Sequence, residues 1–164
     1  MASVIAEMGA CIPALRRYAS ALLRDRQEVD DLVHDCLVRA LDRLHTRREE
    51  GELRPWLFAI LHNLFVSRIR RTRLRGGTES IDTADPTVLG QRANQEDALH
   101  RRDLMRALDE LPEDQRSVLL LVAVEDLSYA ETARVLGVPI GTVMSRLARG
   151  RKRLAAALGV QEAG

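Results

Sequence analysis

No run of apolar residues in this chain approaches the roughly 18 to 20 needed to cross a bilayer, which excludes a helical membrane anchor. The opening residues, MASVIAEMGACIPALRR, lack the basic, then apolar, then small-residue order of a signal peptide, so a cytoplasmic location is expected. Cysteine is nearly absent as well. Cys11 and Cys36 are too few for a disulfide framework and form no CxxC pair, which fits a reducing compartment, and a redox switch is not expected. The four histidines, His34, His45, His62 and His100, are scattered, and no HExxH, phosphate loop or nucleophile elbow accompanies them. His34-x-Cys36 lacks the second pair that a zinc site requires. Neither enzymatic chemistry, nor a metal, nor a cofactor is expected. Strand patterning is also missing: apolar residues recur every three or four positions, with no sustained alternation, so the fold is expected to be all-α.

The chain does contain 46% hydrophobic and 30% charged residues over 164 positions, which suits one or two compact helical units. Its net charge of +1 conceals an uneven distribution. Residues 1–75 carry 14 basic and 10 acidic side chains, residues 76–103 carry 3 and 6, and residues 104–164 carry 8 of each. Arg68, Arg70, Arg71, Arg73 and Arg75 stand together with no acid among them, as do Arg146, Arg149, Arg151, Lys152 and Arg153. Local clusters of this kind let a nearly neutral protein bind a phosphate backbone, because counterion release follows local charge; the plainer alternative is two solvated helix faces.

The apolar spacing predicts a first helix over Ile12 to Leu23 and a second over Val29 to Leu44, the latter with Val29, Leu32, Val33, Cys36, Leu37, Ala40, Leu41 and Leu44 as its apolar stripe. His45 to Arg54 breaks the period and reads as a loop. Pro55 suits the first turn of a third helix, whose pattern runs through Trp56, Leu57, Ile60, Leu61, Leu64, Phe65 and Ile69. From Thr72 to Asn94, glycine, proline, serine and threonine interrupt every period, which predicts a linker and two domains, 1–75 and 95–164, with 76–94 between them. Gln95 to Leu111 forms a further helix, and Pro112 with two acids starts another, in which Val118 to Val124 is expected to be largely buried.

The C-terminal third carries the most specific pattern. Ser128-Tyr129-Ala130-Glu131 is a capping box, Gly137 can close the short helix that follows, and Thr142 is expected to open a second, basic helix. A short helix, a glycine turn and a basic helix, with Ala133 at the crossing and Val143 and Leu147 facing inward, describe a helix-turn-helix. Its second helix would present Met144, Ser145, Ala148 and Arg149 to base edges and Arg146, Arg151, Lys152 and Arg153 to phosphates.

Only five aromatic residues exist, and Trp56, Phe58 and Phe65 fall within ten positions of one another, just before the first arginine cluster. Aromatics beside cations can stack bases drawn out of a duplex, although apolar residues at this spacing more often form a core.

Three separated blocks resemble the extracytoplasmic-function (ECF) class of bacterial RNA polymerase sigma factors: DDLVHDCLVRAL from Asp30, RPWLFAILHNLFVSRIRR from Arg54, and LPEDQRSVLLLVAVEDLSYAETARVLGVPIGTVMSRLARGRKRL from Leu111. The resemblance implies sigma domains 2 and 4, with core RNA polymerase (its β′ clamp helices and β flap) and promoter DNA as partners. It also implies control by an anti-sigma factor, a part in stress response, and action as a monomer on polymerase. Residue by residue, it implies that Asp30, Asp31, Leu32, Val33, Asp35 and Leu37 dock on the clamp. The loop His45 to Arg54, with Trp56 and Asn63, would receive a flipped base of the -10 element, and Arg68, Arg70 and Arg71 would hold the non-template strand. Thr142, Met144, Ser145, Arg146, Ala148, Arg149 and Lys152 would read the -35 element. Met144 and Ser67 depart from the residues frequent in the family, basic and acidic respectively, so the promoter preference is expected to differ from the usual one. The competing readings are a free-standing helix-turn-helix regulator, for which no heptad seam is visible, and a sigma mimic, against which the basic clusters argue.

Overall fold

The computed structural model describes residues 2–47, 51–76 and 95–160. These form α1 (Ala2–Leu23), α2 (Arg26–Arg43), a single 3-10 turn (Leu44–Thr46), α3 (Leu53–Leu74), α4 (Gln95–Asp109), α5 (Glu113–Leu119), α6 (Tyr129–Leu136) and α7 (Ile140–Leu158). No strand occurs among the described residues, so the all-α expectation holds. The chain divides into two compact units, one built on α1 to α3 and the other on α4, α5, α7 and α6 as far as Ala133. Most of the expected linker, 77–94, lies outside the described residues; its first part, Thr72 to Leu74, continues α3 as helix.

In the first unit the three helices pack on one another pairwise. Leu15, Tyr18, Leu32, Cys36, Leu57, Phe58, Leu61 and Phe65 are all buried. Tyr18 meets Phe58 edge to face, with ring centres 5.5 Å apart, the arrangement favoured by the aromatic quadrupole. α1 begins ten residues earlier than expected. Pro13 is inside the helix rather than at its start, and its exposed position leaves the unbonded carbonyl of the preceding turn to water. Met8, buried one turn before Ile12, extends the apolar face. Asp25 caps α2 by accepting from the Gln27 N–H at 2.9 Å, so that helix starts at Arg26 rather than Val29. Leu41 departs from the expected stripe: it is exposed, and so is Val38.

In the second unit Arg116 fastens α5 to the end of α4. Its Nε donates to the Leu108 carbonyl at 2.8 Å, and its Nη2 to Asp109 at 3.2 Å and Leu111 at 2.9 Å, satisfying carbonyls that a helix terminus leaves open. Val118, Leu119, Leu120 and Leu121 are buried as expected, but Val124 is 46% exposed. The correction has a backbone cause: Leu120–Val124 widens into a π-turn, with the Glu125 N–H reaching the Leu120 carbonyl at 3.0 Å, and this rotates the end of the segment off the core face. α5 and α7 pack closely at Gly150, where a Cβ would lie 3.0 Å from Leu119 Cδ1 and 3.4 Å from the Gln115 carbonyl oxygen.

Candidate nucleic-acid interface

The helix-turn-helix is assembled by local chemistry. Ser128 Oγ accepts from the Glu131 N–H at 3.0 Å while Glu131 Oε1 accepts from the Ser128 N–H at 2.8 Å, the reciprocal capping box expected from the sequence. Thr132, fully buried, donates its hydroxyl to the Ser128 carbonyl at 2.8 Å. Gly137 ends α6 with φ 67°, and the Val138 N–H returns to the Ala133 carbonyl at 3.1 Å. α7 then starts at Ile140, two residues before the expected Thr142, because Pro139 at the cap leaves its carbonyl to accept from the Thr142 and Val143 N–H groups. Thr142 therefore sits inside the first turn and is half-buried.

Burial sorts the faces of α7. Val143, Leu147 and Gly150 point into the unit, whereas Met144, Ser145, Ala148, Arg149, Arg151, Lys152 and Arg153 are exposed. Met144 is 52% exposed, so its thioether is held out rather than used in the core. Ser145 donates its hydroxyl to the Thr142 carbonyl at 3.2 Å, which leaves the oxygen facing outward as an acceptor. Arg146 is half-buried and lies 3.6 Å from Asp114 at the start of α5, an ion pair that restricts its rotamers. Gly150 was not singled out from the sequence, although its place seven positions after Val143 and three after Leu147 was a usable sign. Arg116 and Asp114 gave no such sign, since their partners belong to other elements.

On α3 the aromatic block separates into two parts. Phe58 and Phe65 are core residues, and His62 sits beside them, its Nδ1 3.1 Å from the Tyr18 hydroxyl. Trp56 is half-buried, with the Arg47 guanidinium carbon 5.9 Å from its ring centre; that of Arg54 lies over the Phe58 ring at 5.6 Å. Asn63, Arg70 and Arg71 are exposed on the same helix. Of the expected loop His45 to Arg54, Leu44–Thr46 is a 3-10 turn, residues 48–50 lie outside the described residues, and Leu53 and Arg54 already belong to α3.

Arg68 is engaged elsewhere. Its Nη2 donates to Asp35 Oδ2 at 3.0 Å and its Nη1 to the Glu28 carbonyl at 3.3 Å, both on α2. Asp30 pairs with Arg16, and Asp31 accepts from Gln27 Nε2 at 3.0 Å. Leu32 and Val33 are buried in the three-helix core and present no surface, a correction to their expected place on a docking face. Among the side chains that α2 exposes are Asp31, Asp35, Val38 and Leu41, and Leu37 is half-buried. Among the described residues no group of histidine, cysteine or carboxylate side chains is arranged to hold a metal. Burial pushes the Cys36 thiol up to about 12, so it stays protonated and unreactive beside the Leu57 carbonyl. No helix among them is long and apolar enough to cross a membrane.

Comparison with known proteins places this geometry in a family. Residues 101–154 match the description "Sigma-70, region 4", and residues 8–62 match "Sigma2 domain of PhyR". The ECF RNA polymerase sigma factor EcfG of Rhodopseudomonas palustris is 37% identical over 94% of this chain and 84% of its own. SigM of Mycobacterium tuberculosis is 35% identical over 92% of this chain and 74% of its own. Among solved structures, the sigma factor RpoE of Bartonella quintana, in complex with the anti-sigma factor NepR, shares the fold with a TM-score of 0.84 and 31% identity, covering 99% of this chain and 100% of that one. CnrH, in complex with the cytosolic domain of CnrY, follows with a TM-score of 0.64 and 25% identity, over 96% of this chain and 86% of that one. The chain belongs to the ECF sigma factors of RNA polymerase.

Proposed function

We propose that this protein is an alternative sigma factor that joins core RNA polymerase in the cytoplasm and directs initiation at promoters defined by -10 and -35 elements. The observation that carries the reading is α7: a helix held by a capped partner and a glycine turn, with its polar and cationic side chains exposed and its apolar ones buried. In a chain of this family, that helix reads the -35 element in a major groove. Ser145 accepts from a base amine, Met144 takes an apolar contact such as a thymine methyl, and Arg149 offers a bidentate donor pair to guanine. Thr142 and Arg146 hold the approach of the helix, and Ala148 leaves room for a base edge; Lys152 with Arg151 and Arg153 follows the phosphates.

The first unit, residues 1–75, binds polymerase and the -10 element, and residues 76–94 link it to the -35 unit at 95–164. Docking on the β′ clamp uses the acids Asp30, Asp31 and Asp35 together with Leu37, Val38 and Leu41, a surface of apolar centre and acidic rim. Leu32 and Val33 support it from beneath. Trp56 and Asn63 receive a flipped base, and Arg70 and Arg71 hold the non-template strand; Arg68 joins them only on leaving Asp35 and Glu28. The β flap receives the second unit. No catalytic step belongs to the chain itself, since polymerase performs the chemistry. The structural relatives bound to NepR and to the cytosolic domain of CnrY support control by an anti-sigma factor.

Capture of genomic duplex fragments by the free protein and by the protein with core polymerase, at about 0.15 M salt, separates this reading from a free-standing regulator. Selective capture only in the presence of core is expected. Selective capture by the free protein, on fragments with palindromic half-sites, would replace it.

A further inference from the structure

Arg47 stands where the chain leaves the 3-10 turn after α2, in extended conformation, with its N–H bonded to the Leu44 carbonyl at 3.3 Å. Its side chain reaches two further elements. Nη2 donates to the Gly51 carbonyl at 2.5 Å, two residues before α3, and the guanidinium lies over the Trp56 ring at 5.9 Å, at the end of the first turn of α3. A planar guanidinium can stack on a ring face and donate in its own plane at the same time; an ammonium cannot do both. One side chain therefore ties together the end of α2, the approach to α3 and the indole. Among the described residues, Arg47 Nε is buried without an acceptor.

We infer that Arg47 is a positioning residue for reading the -10 element: it fixes the Trp56 ring and the Gly51 carbonyl so that a base turned out of the duplex meets a preformed surface. This rests on the proposed sigma activity. Preorganisation saves the ordering entropy that a loose indole would lose on binding the base, and the saving appears only on promoters whose -10 base fits.

The test uses the full chain with core RNA polymerase and one promoter identified by start-site mapping. Initiation is compared between the original promoter, a version with one -10 base pair changed and a version with one -35 base pair changed. Each discrimination ratio is internal to one variant, so a smaller folded fraction lowers all three rates together and leaves the ratios intact. Arg47→Ala and Arg47→Gln are expected to lower -10 discrimination by about five- to tenfold while -35 discrimination stays within about twofold. Arg47→Lys is not expected to restore it, and Arg47→Ala added to Trp56→Ala is expected to cost nothing beyond Trp56→Ala alone. Unchanged -10 discrimination in Arg47→Ala, equal loss at both elements, or full rescue by lysine would overturn the inference. If the unaltered protein supports no initiation, the sigma reading itself falls and takes this inference with it.

Discussion

The two units hold their charged side chains in opposite ways. In the second unit the recognition helix is built by bonds between neighbours in sequence: Ser128 to Glu131, Val138 to Ala133, Thr142 to Pro139. Its basic side chains from Arg149 to Arg153 are left exposed. In the first unit the elements are held by contacts between distant residues, and part of the charge goes into them, as in Arg68 with Asp35 and Arg16 with Asp30. A locally encoded reading head can be rigid before it meets DNA. A unit whose charged residues are paired across helices, as Arg68 is with Asp35, has to exchange those pairs before the same groups can meet a charged partner.

The contrast between the units can be broken by mutation, starting from its strongest consequences. Leu32→Ala should destabilise the first unit by about 2 to 5 kcal/mol, the range for emptying a buried leucine site. Trp56, the single tryptophan and a member of that unit, reports it by fluorescence in urea titration. A docking residue on the surface would leave the transition where it was. Arg116→Ala should cost the second unit about 2 to 3 kcal/mol by releasing the carbonyls of Leu108, Asp109 and Leu111. Here helix circular dichroism should fall at lower urea while the Trp56 signal does not move.

Smaller effects sharpen the same contrast. Ser128→Ala removes one half of the capping box and should cost about 1 kcal/mol, together with weaker -35 binding in the polymerase complex. An unchanged melting curve would show that the turn, not the cap, sets α6. Asp35→Asn should change stability by less than about 1 kcal/mol, because its carboxylate is 55% exposed and the pair is screened by water and salt. Its larger effect should be on Arg68: single-stranded DNA binding by the isolated protein should rise slightly at low salt. A fall would indicate that Arg68 needs Asp35 to hold a DNA-binding pose.

Legibility in the sequence followed the same division. The capping box, the Gly137 turn and the inward Val143 and Leu147 were all readable, because each is a short-range pattern with one physical interpretation. The start of α7 was misplaced at Thr142 because Pro139 caps through its backbone carbonyl and offers no side-chain sign. The apolar stripe of α2 was right for Leu32, Val33 and Cys36 but wrong for Leu41, which is exposed near the end of the helix. Leu32 and Val33 cannot be both stripe and surface; the periodicity put them in the core and the family resemblance put them on the docking face, and the periodicity was right. The Arg68 to Asp35 pair and the Arg47 contact with Trp56 join elements, so no local rule announces them.

Mapping of transcription start sites on fragmented genomic DNA, with core RNA polymerase from a related bacterium and with or without this protein, tests the central claim most directly. New starts that depend on the protein and share upstream elements at -35 and -10 are the predicted result. No new start, together with no binding to core polymerase, would contradict it.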